Sequence, residues 1–158
     1  MKRKLLDRLC PAEDRPAANT RRERGSALVE AAVVMPFVLV LVLGLVDFGL
    51  MINRGTLANN ATREAAREAM FGADEAAIEA RVIEAASDLD PADLTVTVTC
   101  KTPDGSLCIG DYDDEREPGG AVIVHTQYTY HYITPITNLL GLGSTLELQS
   151  QIEMRLEG

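Results

Sequence analysis

The residues whose chemistry is most informative lie where a basic segment meets an apolar one. The junction reads Arg22-Glu23-Arg24-Gly25-Ser26-Ala27-Leu28-Val29-Glu30. A carboxylate such as that of Glu30 is costly in hydrocarbon, by about 2.5–3.5 kcal/mol at mid-membrane and less near the headgroups. One explanation is that Glu30 extends toward the headgroups. The other is that cleavage after Gly25 frees an α-amine on Ser26, with which Glu30 of the same or a neighbouring subunit pairs.

The second explanation corresponds to a known kind of processing site. A basic leader that ends in glycine, followed by a small residue and then by a glutamate five positions after the glycine, is typical of a prepilin. We therefore expect Gly25, Ser26 and Glu30 to form a site for a prepilin peptidase.

Three cysteines are the next candidates for chemistry. Cys10 lies in the leader and would be lost on cleavage, whereas Cys100 and Cys108 flank a Pro-Asp-Gly turn. Disulfides persist outside the cytoplasm, so we expect a bond between Cys100 and Cys108. Two free thiols and a metal site are the alternatives, and two cysteines without suitable neighbours make a poor zinc site.

Acidic and histidine residues offer little further chemistry. The run Asp111–Glu117 lacks the glycine and glutamate that a calcium-binding loop of the EF-hand type would need at positions 116 and 122, so it is expected to be a solvated loop. A low-affinity cation site is the alternative. His125 and His131 are about 20 Å apart on a strand and cannot share one ion, so both are expected on a solvent-facing or partner-facing surface.

Charge and motifs exclude several classes of protein. The net charge is −9, made of +4 in residues 1–25 and −13 in residues 26–158. An acidic chain has little cationic charge with which to displace counterions from a phosphate backbone, so nucleic-acid binding is not expected. The sequence contains neither the nucleophile motif of hydrolases, nor a phosphate-binding loop, nor the metal-binding motif of zinc proteases. We therefore expect neither enzymatic activity nor a cofactor nor a metal.

The junction leads into a segment that predicts a membrane-spanning helix. Residues 26–52 contain only two formal charges, Glu30 and Asp47, and are apolar on every face. The length of this segment suits a bilayer. Its apolar residues on every face argue against a core helix of a soluble protein. It is also longer than the apolar region of a cleaved secretory signal, and no Ala-x-Ala site follows it. Pro36 is expected to kink or locally unwind the helix.

Cations on the two sides of the span predict its orientation. Arg21, Arg22 and Arg24 precede it, and only Arg54 follows it closely. The positive-inside rule then places residues 1–25 in the cytoplasm and residues 53–158 outside the inner or cytoplasmic membrane.

The stretch from Arg24 to Met70 resembles the TadE-like family of tight-adherence pilus proteins. The residues that carry the resemblance are Arg24-Gly25, Ala27, Val29-Glu30, Pro36, Gly44-x-x-Asp47-Phe48-Gly49 and Ala61-x-Arg63-Glu64-Ala65-Ala66-Arg67. The resemblance implies a minor pilin or pseudopilin of a Tad/Flp-type pilus. Its expected partners are the membrane, a prepilin peptidase, other pilin-like subunits and the assembly machinery.

The segment after the span predicts a small α+β domain. Residues 53–72 should continue the helix and end at Gly72, and Asp74 should cap a second helix that runs to about Ser87. Alternating residues then predict strands over 94–100, 121–133 and 145–156. One face of each strand is apolar, so we expect a three-stranded antiparallel sheet covered on one side by helix, in a pilin-like arrangement. The expected divisions are 1–25, 26–52, 53–72 and 73–158.

Two functions remain as hypotheses from the sequence. The first is a structural and assembly protein that acts through helix packing and the charge of Glu30. The alternative is an adhesin, anchored by the same helix, that binds a surface ligand through the acidic run or through Tyr128, Tyr130 and Tyr132. These tyrosines share one strand face, and packing in the core is the other interpretation of them.

Overall fold

The computed structural model describes residues 19–139, 141 and 143–157. Most of the expected leader, including Cys10, lies outside these residues. The described elements are, in chain order, α1 (Asn19–Ala69), α2 (Glu75–Ala85), a 3-10 turn (Pro91–Asp93), β1 (Leu94–Lys101), α3 (Tyr112–Glu115), β2 (Ala121–His131), α4 (Ile136–Leu139) and β3 (Thr145–Arg155).

Helix α1 contributes to two compact units, one that ends at Leu41 and one that begins at Val42. In the first unit every residue from Gly25 onward is exposed. Pro36 lies within α1, which is helical on both sides of it. The kink at Pro36 stays a prediction.

The second unit contains an antiparallel sheet in the order β1-β2-β3. In the register, Val98 of β1 pairs with Val124 of β2, and Val124 pairs with Ile152 of β3. These three side chains belong to the alternating apolar face that the sequence predicts. The fold class, a long apolar N-terminal helix with a three-stranded antiparallel sheet, is confirmed.

Small side chains of α1 form the helical side of the core. Six residues in the C-terminal part of α1 are fully or almost fully buried: Ala58, Ala61, Thr62, Ala65, Ala66 and Ala69. Because alanine adds little width to a helix, its backbone can approach a sheet closely. Ile78 and Val82 of α2 and the inward face of the sheet complete the same cluster.

Two polar contacts cross this core. The hydroxyls of Thr62 and Thr126 lie 2.6 Å apart, and the Thr62 hydroxyl also donates to the carbonyl of Ala58 at 2.7 Å. The Asn59 amide donates to the Ser150 hydroxyl at 3.0 Å. Ser150 interrupts the apolar alternation of β3, and this contact explains the interruption, because a buried polar group needs a partner.

The helix ends follow the local signals, with small differences in length. Gly72 has a φ of +85°, which favours glycine. The Asp74 carboxylate accepts a hydrogen bond from the Ala77 N–H at 2.8 Å and caps α2. Helix α2 ends at Ala85 rather than near Ser87, and β2 ends at His131 rather than at Ile133. The early end of β2 has a specific cause, described below.

Candidate functional site

The expected processing residues all lie in α1. Gly25, Ser26 and Glu30 are exposed, and a side chain built on Gly25 would meet no atom within 4 Å. Arg21, Arg22 and Arg24 belong to the same helix. The structure therefore leaves space around the expected cleavage position, while the cleavage itself stays a prediction.

The apolar residues that follow are exposed, and no other described segment covers them. Within the described residues one helix, Gly25–Ala69, is long and apolar enough to cross a membrane. Its most apolar window has a mean hydropathy of 2.6, and none of that window is buried. Leu28 and Phe37 illustrate this, with 72% and 73% of their surface exposed. A helix that is apolar all round and uncovered suits a lipid environment.

One carboxylate in this apolar region is nevertheless buried. Asp47 is only 4% exposed. Its carboxylate accepts hydrogen bonds from the main-chain N–H of Ile133 at 3.0 Å and from that of Thr134 at 3.2 Å. The Thr134 hydroxyl also donates to it, and the Tyr130 hydroxyl approaches at 3.5 Å. Donors from one short segment therefore surround Asp47 and join α1 to the connection between β2 and β3.

The contact of Asp47 explains where β2 ends. The N–H groups of Ile133 and Thr134 point to the helix carboxylate, so they are not available for the sheet ladder. In the sequence Asp47 stood out as a formal charge within the span and as part of the TadE-like pattern, but its contact with the β2–β3 connection was not predicted. The available signal was a carboxylate inside an apolar segment, since such a group is costly without partners.

The expected disulfide is present. Cys100 and Cys108 are bonded, with their Cα atoms 5.2 Å apart. The Cys108 N–H also donates to the Cys100 carbonyl at 2.9 Å. Between them the turn has Gly105 at a φ of +91°, and the Asp104 carboxylate accepts from the Ser106 N–H at 2.9 Å. Hydrogen bonds from Thr102 and Ser106 lower the pKa of Asp104 below its ordinary value of 3.8.

The acidic run after the disulfide is exposed at Asp111, Asp113, Asp114 and Glu117, which agrees with a solvated segment, but it contains the short helix α3 and makes specific contacts. The Tyr112 ring is 2% exposed. The Glu115 carboxylate accepts from the Ile109 N–H at 2.9 Å and the Gly110 N–H at 3.0 Å. These contacts hold the segment that directly follows the disulfide loop.

The same run also holds the start of α2. The Asp113 carboxylate accepts from the Glu75 N–H at 3.2 Å, and the Arg116 guanidinium donates to the carbonyls of Gly72 and Ala73. Burial, together with the charges of Asp111, Glu79 and Asp113, raises the pKa of Glu75. Among the residues that the structure describes, no group of three or more His, Cys, Asp or Glu side chains is arranged to hold a metal ion.

The tyrosine and histidine positions are also defined. Tyr128 and Tyr130 are 7% and 4% exposed, and the Tyr130 and Tyr132 rings meet edge to face with centroids 5.6 Å apart. Packing in the core is therefore the correct interpretation of the tyrosines. His131 is exposed and its Nε2 lies 3.0 Å from Asp93, and His125 is half-buried.

Comparison with known proteins agrees with this geometry. Residues 25–67 match the family model described as TadE-like protein. No curated protein and no solved structure matches the chain. The matched segment starts at the expected cleavage position, includes Asp47 and ends within the sheet-packed part of α1. TadE-like proteins are a family of pilus structural and assembly proteins rather than enzymes. The one apolar helix found in the described part of the chain fits a single-pass membrane protein. Over residues 25–67 the resemblance read from the sequence is thus confirmed, and the chain is similar to TadE-like proteins, a family associated with the Tad pilus.

Proposed function

We propose that this protein is a minor pilin or pseudopilin of a Tad/Flp-type pilus. It is made as a precursor with residues 1–25 in the cytoplasm and is cut after Gly25 by a prepilin peptidase. The observation that carries the proposal is the match to TadE-like proteins over residues 25–67, which begins at Gly25. The exposed, apolar first half of α1 supports it.

The exposed helix supplies the assembly mechanism. In lipid its side chains are solvated by acyl chains, so helices associate through van der Waals packing rather than through the hydrophobic effect. Gly44 and Gly49 leave open space on α1, since a β-carbon added to either residue would meet no atom within 4 Å. They are five residues apart and do not form the Gly-x-x-x-Gly motif, so packing is distributed along the apolar surface.

Glu30 gives this packing its register. Cleavage after Gly25 creates an ammonium group on Ser26, one turn from the Glu30 carboxylate. A charge in a low-dielectric environment strongly favours a position beside an opposite charge. The Ser26 amine of the same or an adjacent subunit satisfies Glu30 when helices stack, and a misaligned neighbour does not.

The alternative function, an adhesin, has less support. Tyr128 and Tyr130 are buried in the core and offer no binding surface. In the acidic run, Asp113 and Glu115 hold backbone N–H groups of the domain itself. We therefore keep the assembly role as the proposal.

Processing of the precursor tests this function. The precursor is expressed with a prepilin peptidase of a Tad system, and the product is examined by intact mass and N-terminal sequencing. The wild-type chain should begin at Ser26, and Gly25→Ala should remain uncut. Gly44→Ala is the matched control, because both glycines lie in α1 with open space around them, and it should be cut normally. A Gly25→Ala chain that is cut like the wild type would contradict the proposal.

A further inference from the structure

Large exposed apolar side chains lie on both segments that meet at Asp47, helix α1 and residues 133–146. Four of them, which we call the apolar rim, are Phe48, Ile52, Ile133 and Leu146. Their exposed fractions are 55%, 50%, 70% and 37%. Large apolar side chains grouped in this way on a soluble surface usually mark a binding site or a membrane contact.

Hydrogen bonds define the position of the rim along α1. Ile133 donates its N–H to Asp47, and Phe48 follows Asp47 in the helix. Leu146 pairs with Tyr130 in the sheet, and the Tyr130 hydroxyl also approaches Asp47. The rim therefore lies level with the last turns of the apolar run, where Leu45 and Val46 are exposed as well.

The sequence of the β2–β3 connection agrees with an apolar environment. Residues 132–146 contain no Asp, Glu, Lys or Arg, although these make up 25% of the chain. Exposed connections in water are usually polar, and this one carries seven Ile, Leu or Tyr residues instead. The absence of charge removes the main cost of placing a segment at the edge of a bilayer.

We propose that the apolar rim lies at the lipid–water interface on the extracytoplasmic side of the membrane that the span crosses. The domain then rests on the lipid surface. The span then ends at Asp47, whose carboxylate is solvated by protein donors instead of water. The main-chain N–H groups of Ile133 and Thr134 are satisfied in the same way, which lipid requires of any backbone near the hydrocarbon. The occupant is lipid rather than a second subunit, because Leu45 and Val46, which precede the rim on α1 within the second unit, are exposed and belong to the expected span.

The chain contains no Trp, so a single introduced Trp reports its own environment. The full chain with Ile133→Trp is reconstituted into phosphatidylcholine vesicles. Its emission should be shifted to the blue and should lose most of its intensity when lipids with a nitroxide near the headgroup are included. Phe71→Trp is the matched control, because Phe71 is also exposed (78%) but lies in the turn after the C-terminal end of α1, far along the chain from Asp47. Its emission should be water-like and insensitive to these lipids.

Each other outcome would overturn the proposal. Water-like, unquenched emission from Ile133→Trp would show that the rim faces solvent. Blue-shifted emission that lipid nitroxides do not quench would show that another protein chain covers it. Should Ile133→Trp fail to fold, as judged by circular dichroism, Leu146→Trp provides a second probe of the rim with the same expected result. Because the test needs no peptidase or pilus, its outcome is independent of the proposed function.

Discussion

The main-chain N–H of Ile133 donates a hydrogen bond to the carboxylate of Asp47 at 3.0 Å, across 86 positions of sequence. With the donors of Thr134, this contact turns a buried charge in an apolar helix into an attachment point for the sheet. Among the described contacts it is the polar link nearest to the apolar half of α1. Its removal should lower the stability of the folded domain.

Replacing Asp47 should therefore destabilise the domain. In Asp47→Ala the N–H groups of Ile133 and Thr134 lose their acceptor, and each buried unsatisfied group costs about 1–3 kcal/mol. We expect the full chain in detergent micelles to unfold at lower denaturant concentration, measured by circular dichroism. Asp114→Ala is the control, since Asp114 is exposed, and should have little effect. Equal stability of the two variants would show that the Asp47 contact contributes nothing.

Loss of the charge at Glu30 should affect assembly more than folding. Glu30→Gln keeps the size of the side chain but removes the partner expected for the Ser26 amine. We expect normal amounts of processed protein but fewer or no pili on cells, counted by electron microscopy. Glu147→Gln, which changes an exposed glutamate on β3, should leave pili unchanged. If cells with Glu30→Gln carried normal numbers of pili, the proposal that Glu30 sets the register of helix packing would be wrong.

The acidic run offers a test that separates a structural role from ligand binding. Glu115 accepts hydrogen bonds from two backbone N–H groups, those of Ile109 and Gly110, directly after the disulfide loop. Hydrogen bonds to a charged group contribute about 1.5–3 kcal/mol to stability. Because Glu115 is partly exposed, its contribution should lie near the lower value. We expect Glu115→Ala to lower the free energy of unfolding measurably, whereas Glu117→Ala, at an exposed neighbouring glutamate, should not. If Glu115→Ala abolished surface adhesion while stability and pili were intact, the adhesin would become the better hypothesis.

The turn inside the disulfide loop gives a pH prediction. Hydrogen bonds from Thr102 and Ser106 lower the pKa of Asp104 below 3.8. A carboxyl whose folded pKa is lowered adds stability that is present above its unfolded pKa and is lost as the pH falls through the folded value. The Asp104 carboxyl should therefore titrate below 3.8 by NMR, and Thr102→Val should raise that midpoint. A midpoint that Thr102→Val leaves unchanged would contradict the assigned cause.

Local sequence signals predicted most of the elements. The alternation from Leu94 to Cys100 defined β1 and its buried face, and Gly72 and Asp74 marked the end of one helix and the start of the next. The disulfide followed from two cysteines around a turn. In each case the residues that determine the structure are close in sequence. The local sequence pattern is therefore enough to predict the element.

Contacts between distant residues could not be predicted in the same way. Nothing near Asp47 indicates that its donors lie in the β2–β3 connection, and β2 was therefore expected to continue to Ile133. The acidic run was expected to be a solvated loop because it lacks the residues of a calcium-binding loop. Nothing in its sequence indicated that Tyr112 anchors it in the core or that Glu115 binds backbone N–H groups. Where a side chain satisfies backbone groups far along the chain, only the folded arrangement reveals its role.

The polar contacts of α1 also have a mechanical consequence. Asp47, Asn59 and Thr62 each bond to a different part of the sheet domain, at Ile133, Ser150 and Thr126. They are spread over about 22 Å of the helix axis. They therefore attach the second-unit part of α1 to the sheet at three separate levels. Loss of any one contact would leave the other two to keep this part of the helix in register with the sheet.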